Sequence, residues 1–128
     1  SVGGTTTVNW TSSFRTPAAT LKFWQEQFGL TDYNPDALAP FFQQAEQRLN
    51  IAPWQTPPNE NNELLRRGAA KLGIKAEVIP RNVKGCYNLG SCGMGCPTNA
   101  KQSMLVTTIP FAPRSSKSAT DASRASVV

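Results

Sequence analysis

At 128 residues, with 39% hydrophobic side chains and a formal net charge of +5, the chain amounts to at most one ordinary domain with a modest core. It contains no histidine, which excludes Ser-His-Asp and Cys-His nucleophiles, imidazole general acid–base catalysis and His-ligated zinc. Ten prolines and nine glycines point to a loop-rich architecture, and no apolar run approaches the ~20 residues of a membrane span.

The opening Gly3-Gly4-Thr5-Thr6-Thr7-Val8-Asn9-Trp10 joins a glycine pair to hydroxyl and amide side chains. Consecutive small residues let backbone N–H groups approach an anion or a flat ring, and the threonines and Asn9 add hydrogen bonds. A Gly-Gly turn leading into a β-prone Thr-Thr-Val run explains the same residues without any ligand. Thr16-Pro17 then supplies an N-cap and a proline at the first helical position, with Leu21, Trp24 and Phe28 on one face and Gly29 as the stop. A second helix begins at Asn34-Pro35 and turns Leu38, Phe41, Phe42, Ala45 and Leu49 toward a core, with a kink or restart expected at Pro40. Residues 51–62 read as a connector rich in Pro, Asn and Gln that carries Trp54. A third helix from about Asn61 to Leu72 places Leu64, Leu65, Ala69 and Leu72 inward and stops at Gly73. Alternation over 74–79 predicts a short strand ending at Pro80, and 100–109 a short helix or turn ended by Pro110. Residues 111–128 turn to Ser, Ala, Thr, Arg and Lys, too polar to order themselves, so a flexible tail is expected there.

Between strand and last helix lies a loop holding all three cysteines, Cys86, Cys92 and Cys96, in a C-x5-C-x3-C spacing with Gly85, Gly90, Gly93 and Gly95. Such glycine density suits a loop that turns sharply or approaches something closely. Three reduced thiols, one disulfide with a free thiol, and a three-thiolate metal site all stay open. Gly90-Ser91-Cys92-Gly93 is a faint echo of a cysteine-protease nucleophile, but without histidine nothing would form the thiolate. The charge is uneven, with three basic and five acidic side chains over 1–60 against ten and three over 61–128. The basic residues are dispersed, which reads as a solvated surface; no nucleic-acid partner is expected.

The two glycine-rich stretches, with the helices between them, resemble the glucose-methanol-choline (GMC) family of flavin oxidoreductases over roughly residues 1–110. Residues 3–10 are similar to the family's Gly-Gly-[Ser/Thr]-[Ser/Thr]-x-x-Asn segment, which implies FAD contacts by Gly3, Gly4, Thr5, Thr6, Asn9 and Trp10. Phe14-Arg15-Thr16-Pro17, the helix around Trp24, and Ala39-Pro40-Phe41-Phe42 through Glu46 resemble the stretch that follows. Cys92-Gly-Met-Gly-Cys96-Pro97 with Ala100-Lys101-Gln102-Ser103 is the second block. The family's G-x-G-x-x-G fingerprint and its catalytic histidine have no counterpart here, so the resemblance implies no catalytic residue in this chain and no FAD held by it alone. Some sugar dehydrogenases of this family carry a three-iron cluster on a C-x5-C-x3-C-P arrangement, which Cys86, Cys92 and Cys96-Pro97 match. A loop shaped by its cysteines, a [3Fe–4S] cluster on them, and zinc with an exogenous fourth ligand are the three readings, the first favoured.

The fold expected is therefore mainly α with irregular Gly/Pro-rich loops and little β, a fragment of an FAD-binding α/β flavoenzyme rather than a complete domain. It would divide into a GMC-like segment, 1–110, and the tail, 111–128. The expected function is part of an FAD-dependent alcohol or sugar oxidoreductase, inactive alone; the alternative is a small binding or structural module using its basic half or its three-cysteine loop. With neither a signal-peptide pattern nor a membrane span, a cytoplasmic location is favoured and no membrane partner is expected. Each large apolar side chain left exposed forgoes roughly 1.5–3 kcal/mol, so a homo-oligomer through the helices of residues 17–50 is expected.

Overall fold

The computed structural model describes residues 2–112; from residue 113 onward the expected tail lies outside the described residues. Helix α1 spans Ala18–Phe28, α2 Pro35–Arg48, α3 Glu60–Lys71 and α4 Met104–Thr107. The strands β1 (Ile51–Pro53) and β2 (Pro80–Asn82) pair antiparallel, Ile51 facing Asn82, Ala52 facing Arg81 and Pro53 facing Pro80. Short 3₁₀ turns occupy Gly4–Thr7, Cys92–Met94 and Ile109–Phe111. The described part is mainly α with little β.

Local chemistry explains most boundaries. Asn34 caps α2 by accepting from the Ala37 N–H at 2.9 Å, and Asn59 caps α3 by accepting from Asn62 at 2.9 Å. At the other end of α3, Gly73 adopts φ +67 and donates to Ala70, while Ile74 donates to Ala69. This is the Schellman arrangement that a glycine in the left-handed region permits. At α1 the cap falls one residue later than expected. Pro17 itself is the cap, extended at ψ 144, and its carbonyl receives the Thr20 and Leu21 N–H groups. Helix α2 runs unbroken through Pro40, so no restart occurs; so near the N-terminus a proline removes just one ladder bond. The Thr-Thr-Val run is not a strand. Gly3 and Gly4 reverse the chain at positive φ, and the Thr6 and Thr7 hydroxyls donate back to the Gly3 and Gly4 carbonyls, holding a 3₁₀ turn.

The strand expected over 74–79 is replaced by pairing of the next three residues. Pro80, lacking an N–H, is tolerated as the first residue of β2, and its partner β1 comes from the stretch read as a connector. Segments far away in the chain then gather on β2. Asn82 donates to Thr11 at 3.2 Å, Ser13 donates to Pro80 at 3.0 Å, and Gln102 donates to Asn82 at 2.9 Å. Pro110 lies within the final 3₁₀ turn rather than ending the structure.

The centre so formed is polar. Leu21 and Ala100 are the buried apolar residues among those described, whereas Thr11, Asn82, Lys101, Ser103 and Thr107 are buried polar ones. No buried side-chain N or O atom among the described residues lacks a hydrogen-bond partner, which is the condition for such a centre to be stable. The apolar faces of the helices do not form a core as expected. Trp24, Leu38, Phe42, Leu49 and Ala69 are half-buried, but Phe28, Phe41, Ala45, Leu64, Leu65 and Leu72 are exposed. What ties α2 to the rest is largely polar. Arg15 grips Glu46 with two bonds of 2.7 and 2.6 Å, holding that carboxyl below its usual range, and Arg48 donates to the Thr107 carbonyl of α4 at 3.2 Å. No helix among the described residues is long and apolar enough to cross a membrane.

Candidate flavin-facing site and its cysteine loop

The two glycine-rich stretches meet in space although about 80 residues separate them. Lys101 and Arg81 make the junction. The Lys101 ammonium donates to the Asn9 carbonyl and to the Cys92 carbonyl, each at 2.8 Å, so one buried cation ties the opening segment to the cysteine loop. Burial pushes this ammonium below its ordinary range, while the electrostatic effect of the neighbouring Cys92 and Cys96 acts the other way. Arg81 sits over the Trp54 ring at 4.4 Å and donates to Thr11 Oγ1 at 2.7 Å, to the Trp10 carbonyl at 3.0 Å and to Cys92 Sγ at 3.7 Å. Their partners lie 71 and 92 residues away along the chain, and hydrogen bonds of that span leave no periodic trace in a sequence. The one signal open to sequence reasoning was that each cation flanks the glycine-rich loop.

Thr11 holds the strained point of this junction. It is fully buried at φ +68, a region that β-branched residues rarely occupy. Its N–H donates to Asn9 Oδ1, its hydroxyl donates to the Trp10 carbonyl and accepts from Arg81, and its carbonyl receives Asn82 and Ser13. So many partners over-determine the conformation and keep the strain in place.

The expected FAD-contacting residues fall into two groups. Gly3, Thr6 and Asn9 are engaged within the chain. A side chain at Gly3 would collide with Leu105, at 3.0 Å from its Cβ. Thr6 donates to Gly3 and accepts from the Met104 N–H at 2.9 Å, and Asn9 accepts from Thr11. Gly4 and Thr5 stand at the surface, and the Trp10 indole is 61% exposed with its inner edge against Gly93. A Cβ at Gly93 would lie 2.8 Å from the Trp10 ring, so this glycine is required by packing.

Where the two stretches meet, a cavity of about 430 Å³ opens, lined by Thr7, Ser91 and Asn99, by Met94, Pro97, Leu105 and Val106, and by Gly95 and Cys96 of the loop. None of the six expected FAD contacts lines it; Thr7 does. A smaller cavity of about 170 Å³ brings together Trp10, Trp54, Arg81 and all three cysteines.

The thiols nevertheless do not form a metal site. Cys86, Cys92 and Cys96 are free and half-buried, and among the described residues no group of three His, Cys, Asp or Glu side chains is arranged to hold a metal ion. Each sulfur has its own neighbour instead: the Asn88 N–H at 3.3 Å from Cys86, Arg81 at Cys92, and the Thr98 hydroxyl at 3.4 Å from Cys96. A guanidinium donating to one sulfur is ill-suited to a site that must gather three thiolates on cations. The expected ligand set Cys86, Cys92 and Cys96 thus shares one cavity lining, and among the described residues its sulfurs are not grouped as a metal site.

Comparison with known proteins identifies the family. The family profile described as GMC oxidoreductase matches residues 1–125. A GMC-type oxidoreductase of Mycobacterium tuberculosis (strain ATCC 25618 / H37Rv) is 40% identical over 112 residues, covering 87% of this chain and 18% of that protein. Long-chain-alcohol oxidase FAO1 of Arabidopsis thaliana is 33% identical over 101 residues, 79% of this chain and 13% of its own length. A GMC-type oxidoreductase of Sinorhizobium fredii is 31% identical over 109 residues, 85% of this chain and 22% of its own. The chain thus spans between about an eighth and a fifth of these relatives. No solved structure matches it. GMC oxidoreductases generally bind FAD, and the N-terminal region that the profile describes is their FAD-binding region. The glycine-rich opening, the cysteine loop and the contact between them are accordingly features of a member of the GMC oxidoreductase family, to which this chain belongs.

Proposed function

We propose that the chain forms one wall of the FAD site of an alcohol oxidoreductase and contributes no catalytic base of its own. The observation that carries this reading is the junction of the opening turn with the cysteine loop beside the larger cavity. The lining suits part of a flavin nucleotide. Met94, Pro97, Leu105 and Val106 offer apolar surface for a flat ring, and Ser91, Asn99 and the open face of the Gly95 backbone offer polar contacts. The Lys101 ammonium adds one positive charge at the cavity wall, favourable to an anionic phosphate. Of the opening segment, Thr7 lines this cavity, while the exposed Trp10 lines the smaller one.

Bound FAD would supply hydride acceptance from an alcohol carbon. The substrate class proposed is alcohols, in keeping with the long-chain-alcohol oxidases among the relatives. The chain's own part is positioning. With no imidazole in the sequence, removal of the alcohol proton falls to groups outside it.

The test is a titration of FAD into the purified chain, followed by flavin fluorescence, with a parallel assay of dye reduction by a panel of alcohols. Saturable quenching no tighter than about 0.1 mM is expected, because no G-x-G-x-x-G turn anchors the pyrophosphate. Met94→Trp, at an 87% exposed position on the cavity rim, should weaken it. Dye reduction should not exceed that of free FAD. Absence of quenching, or turnover that tracks the chain, overturns the reading.

A further inference from the structure

We infer that Cys96 and Cys92 form a peroxide-reactive dithiol, in which Cys96 attacks a hydroperoxide and Cys92 resolves the product as an intramolecular disulfide. The proposal is independent of any flavin.

Position separates the three thiols. Cys96 lines both the 430 Å³ and the 170 Å³ cavities, so a small oxidant has two open spaces from which to approach it. Cys92 and Cys86 both share the smaller cavity with Cys96, but Cys92 is the nearer along the chain. The two are joined by one 3₁₀ turn, Cys92–Met94, and by Gly95, whose missing side chain faces open space; such a link can adjust to close a disulfide. Lys101 bonds the Cys92 carbonyl with its ammonium and faces the Cys96 sulfur with its backbone N–H. Cys86 lacks that common neighbour and receives the Asn88 N–H instead.

The surroundings of Cys96 favour its anion. Burial pushes the thiol up, but the Thr98 hydroxyl and the backbone N–H groups of Lys101, Thr98 and Ala100 together outweigh it, leaving the thiol at about 7. Lys101 and Arg81 are the charged groups facing the pair, and no carboxylate lines either cavity. Near neutral pH a large share of Cys96 is therefore thiolate, while exposure through the larger cavity keeps it reachable.

The chemistry balances with a hydroperoxide as oxidant. The Cys96 thiolate attacks the terminal oxygen, forming an S–O bond as the O–O bond breaks. The alkoxide or hydroxide leaves and takes a proton from solvent. Sulfur is oxidised by two electrons to a sulfenic acid, and the peroxide is reduced to an alcohol or water. Cys92 sulfur then attacks Cys96 sulfur; the S–S bond forms, the S–O bond breaks, and hydroxide leaves as water with the Cys92 proton.

The experiment treats the reduced chain of 128 residues with hydrogen peroxide, without flavin, and follows thiol loss, dimedone trapping and disulfide position by tandem mass spectrometry. Two thiols should be lost, with Cys92 joined to Cys96, and Cys86→Ser should behave identically. Cys92→Ser should stop at a sulfenic acid on Cys96 that dimedone captures. Thr98→Val, which removes one donor and no cysteine, should slow the first step about fivefold at pH 7, as expected if the thiol rises by about one unit. If Cys92→Ser fails to fold by circular dichroism, the wild-type disulfide map and the Thr98→Val rate decide the matter. Oxidation of all three thiols at the rate of the urea-unfolded chain, or a disulfide that includes Cys86, overturns the proposal.

Discussion

Replacing Gly93 with alanine tests the contact that joins the two glycine-rich stretches. The added Cβ would lie 2.8 Å from Trp10 Cζ2, 2.9 Å from Cε2 and 3.0 Å from Nε1, where ordinary contacts need about 3.4–4 Å. The ring cannot retreat by moving its backbone. The Trp10 carbonyl is held by Arg81, the Asn9 carbonyl by Lys101, and Thr11 is buried at a strained φ. Relief must come from rotating the indole into solvent. Overpacking of this kind costs about 1–3 kcal/mol, and the smaller entropy of an unfolded chain with alanine returns about 0.4–1 kcal/mol, so a net loss of about 1–2 kcal/mol is expected. Urea unfolding followed by circular dichroism should show it as a lower midpoint. The decisive comparison is a double-mutant cycle with Trp10→Ala, in which Gly93→Ala should become neutral or slightly stabilising. Gly90→Ala is the control: Gly90 has φ +68 with open space around it, so its cost should be backbone strain of about 1–2 kcal/mol, unaffected by Trp10. A Gly93→Ala penalty that persists without the indole refutes the packing argument.

Two further outcomes follow from the polar centre and the outward helix faces. Thr11→Val removes the hydroxyl that accepts the 2.7 Å bond from Arg81 and should cost about 1.5–3 kcal/mol; Thr11→Ser should cost clearly less, and a change within 0.5 kcal/mol for Val would show that Arg81 is not organised through this hydroxyl. We further propose that α1 and α2 pair with a second copy through Phe23, Phe28 and Phe41, which are 52%, 65% and 67% exposed. Sedimentation velocity should show mass rising with concentration and Phe41→Glu lowering it, whereas a monomer at every concentration sinks the idea.

Much of the local structure was legible in the residues because its causes are local. Asn34 bonds an amide three residues away, and Gly73 frees a φ that other residues avoid, so these helix ends followed from short-range chemistry. The family was legible for a related reason. Gly3-Gly4-Thr5-Thr6 and Cys92-Gly-Met-Gly-Cys96 are contiguous runs, and a contiguous run keeps its signature even where its partners are unknown. The cysteine spacing, by contrast, favoured a shaped loop but left a coordination sphere open. Spacing constrains separation along the chain and not the direction of each sulfur, which the backbone of 86–96 turns toward three different neighbours.

Only the tertiary structure decided which strand forms, where the centre lies and what holds the site. Residues 74–79 alternate as a strand should, yet β2 begins at Pro80, because the available hydrogen-bonding edges are those of β1 and of Thr11 and Ser13. Helical periodicity marked Phe28, Phe41, Leu64 and Leu65 as core, yet they are exposed: an apolar stripe states what a helix can bury, and only the neighbours determine whether it is buried. Lys101 and Arg81 look like ordinary surface cations in the sequence. They become the junction of the molecule because folding brings to them carbonyls from the far end of the chain, and a buried cation is stable only where such acceptors await it.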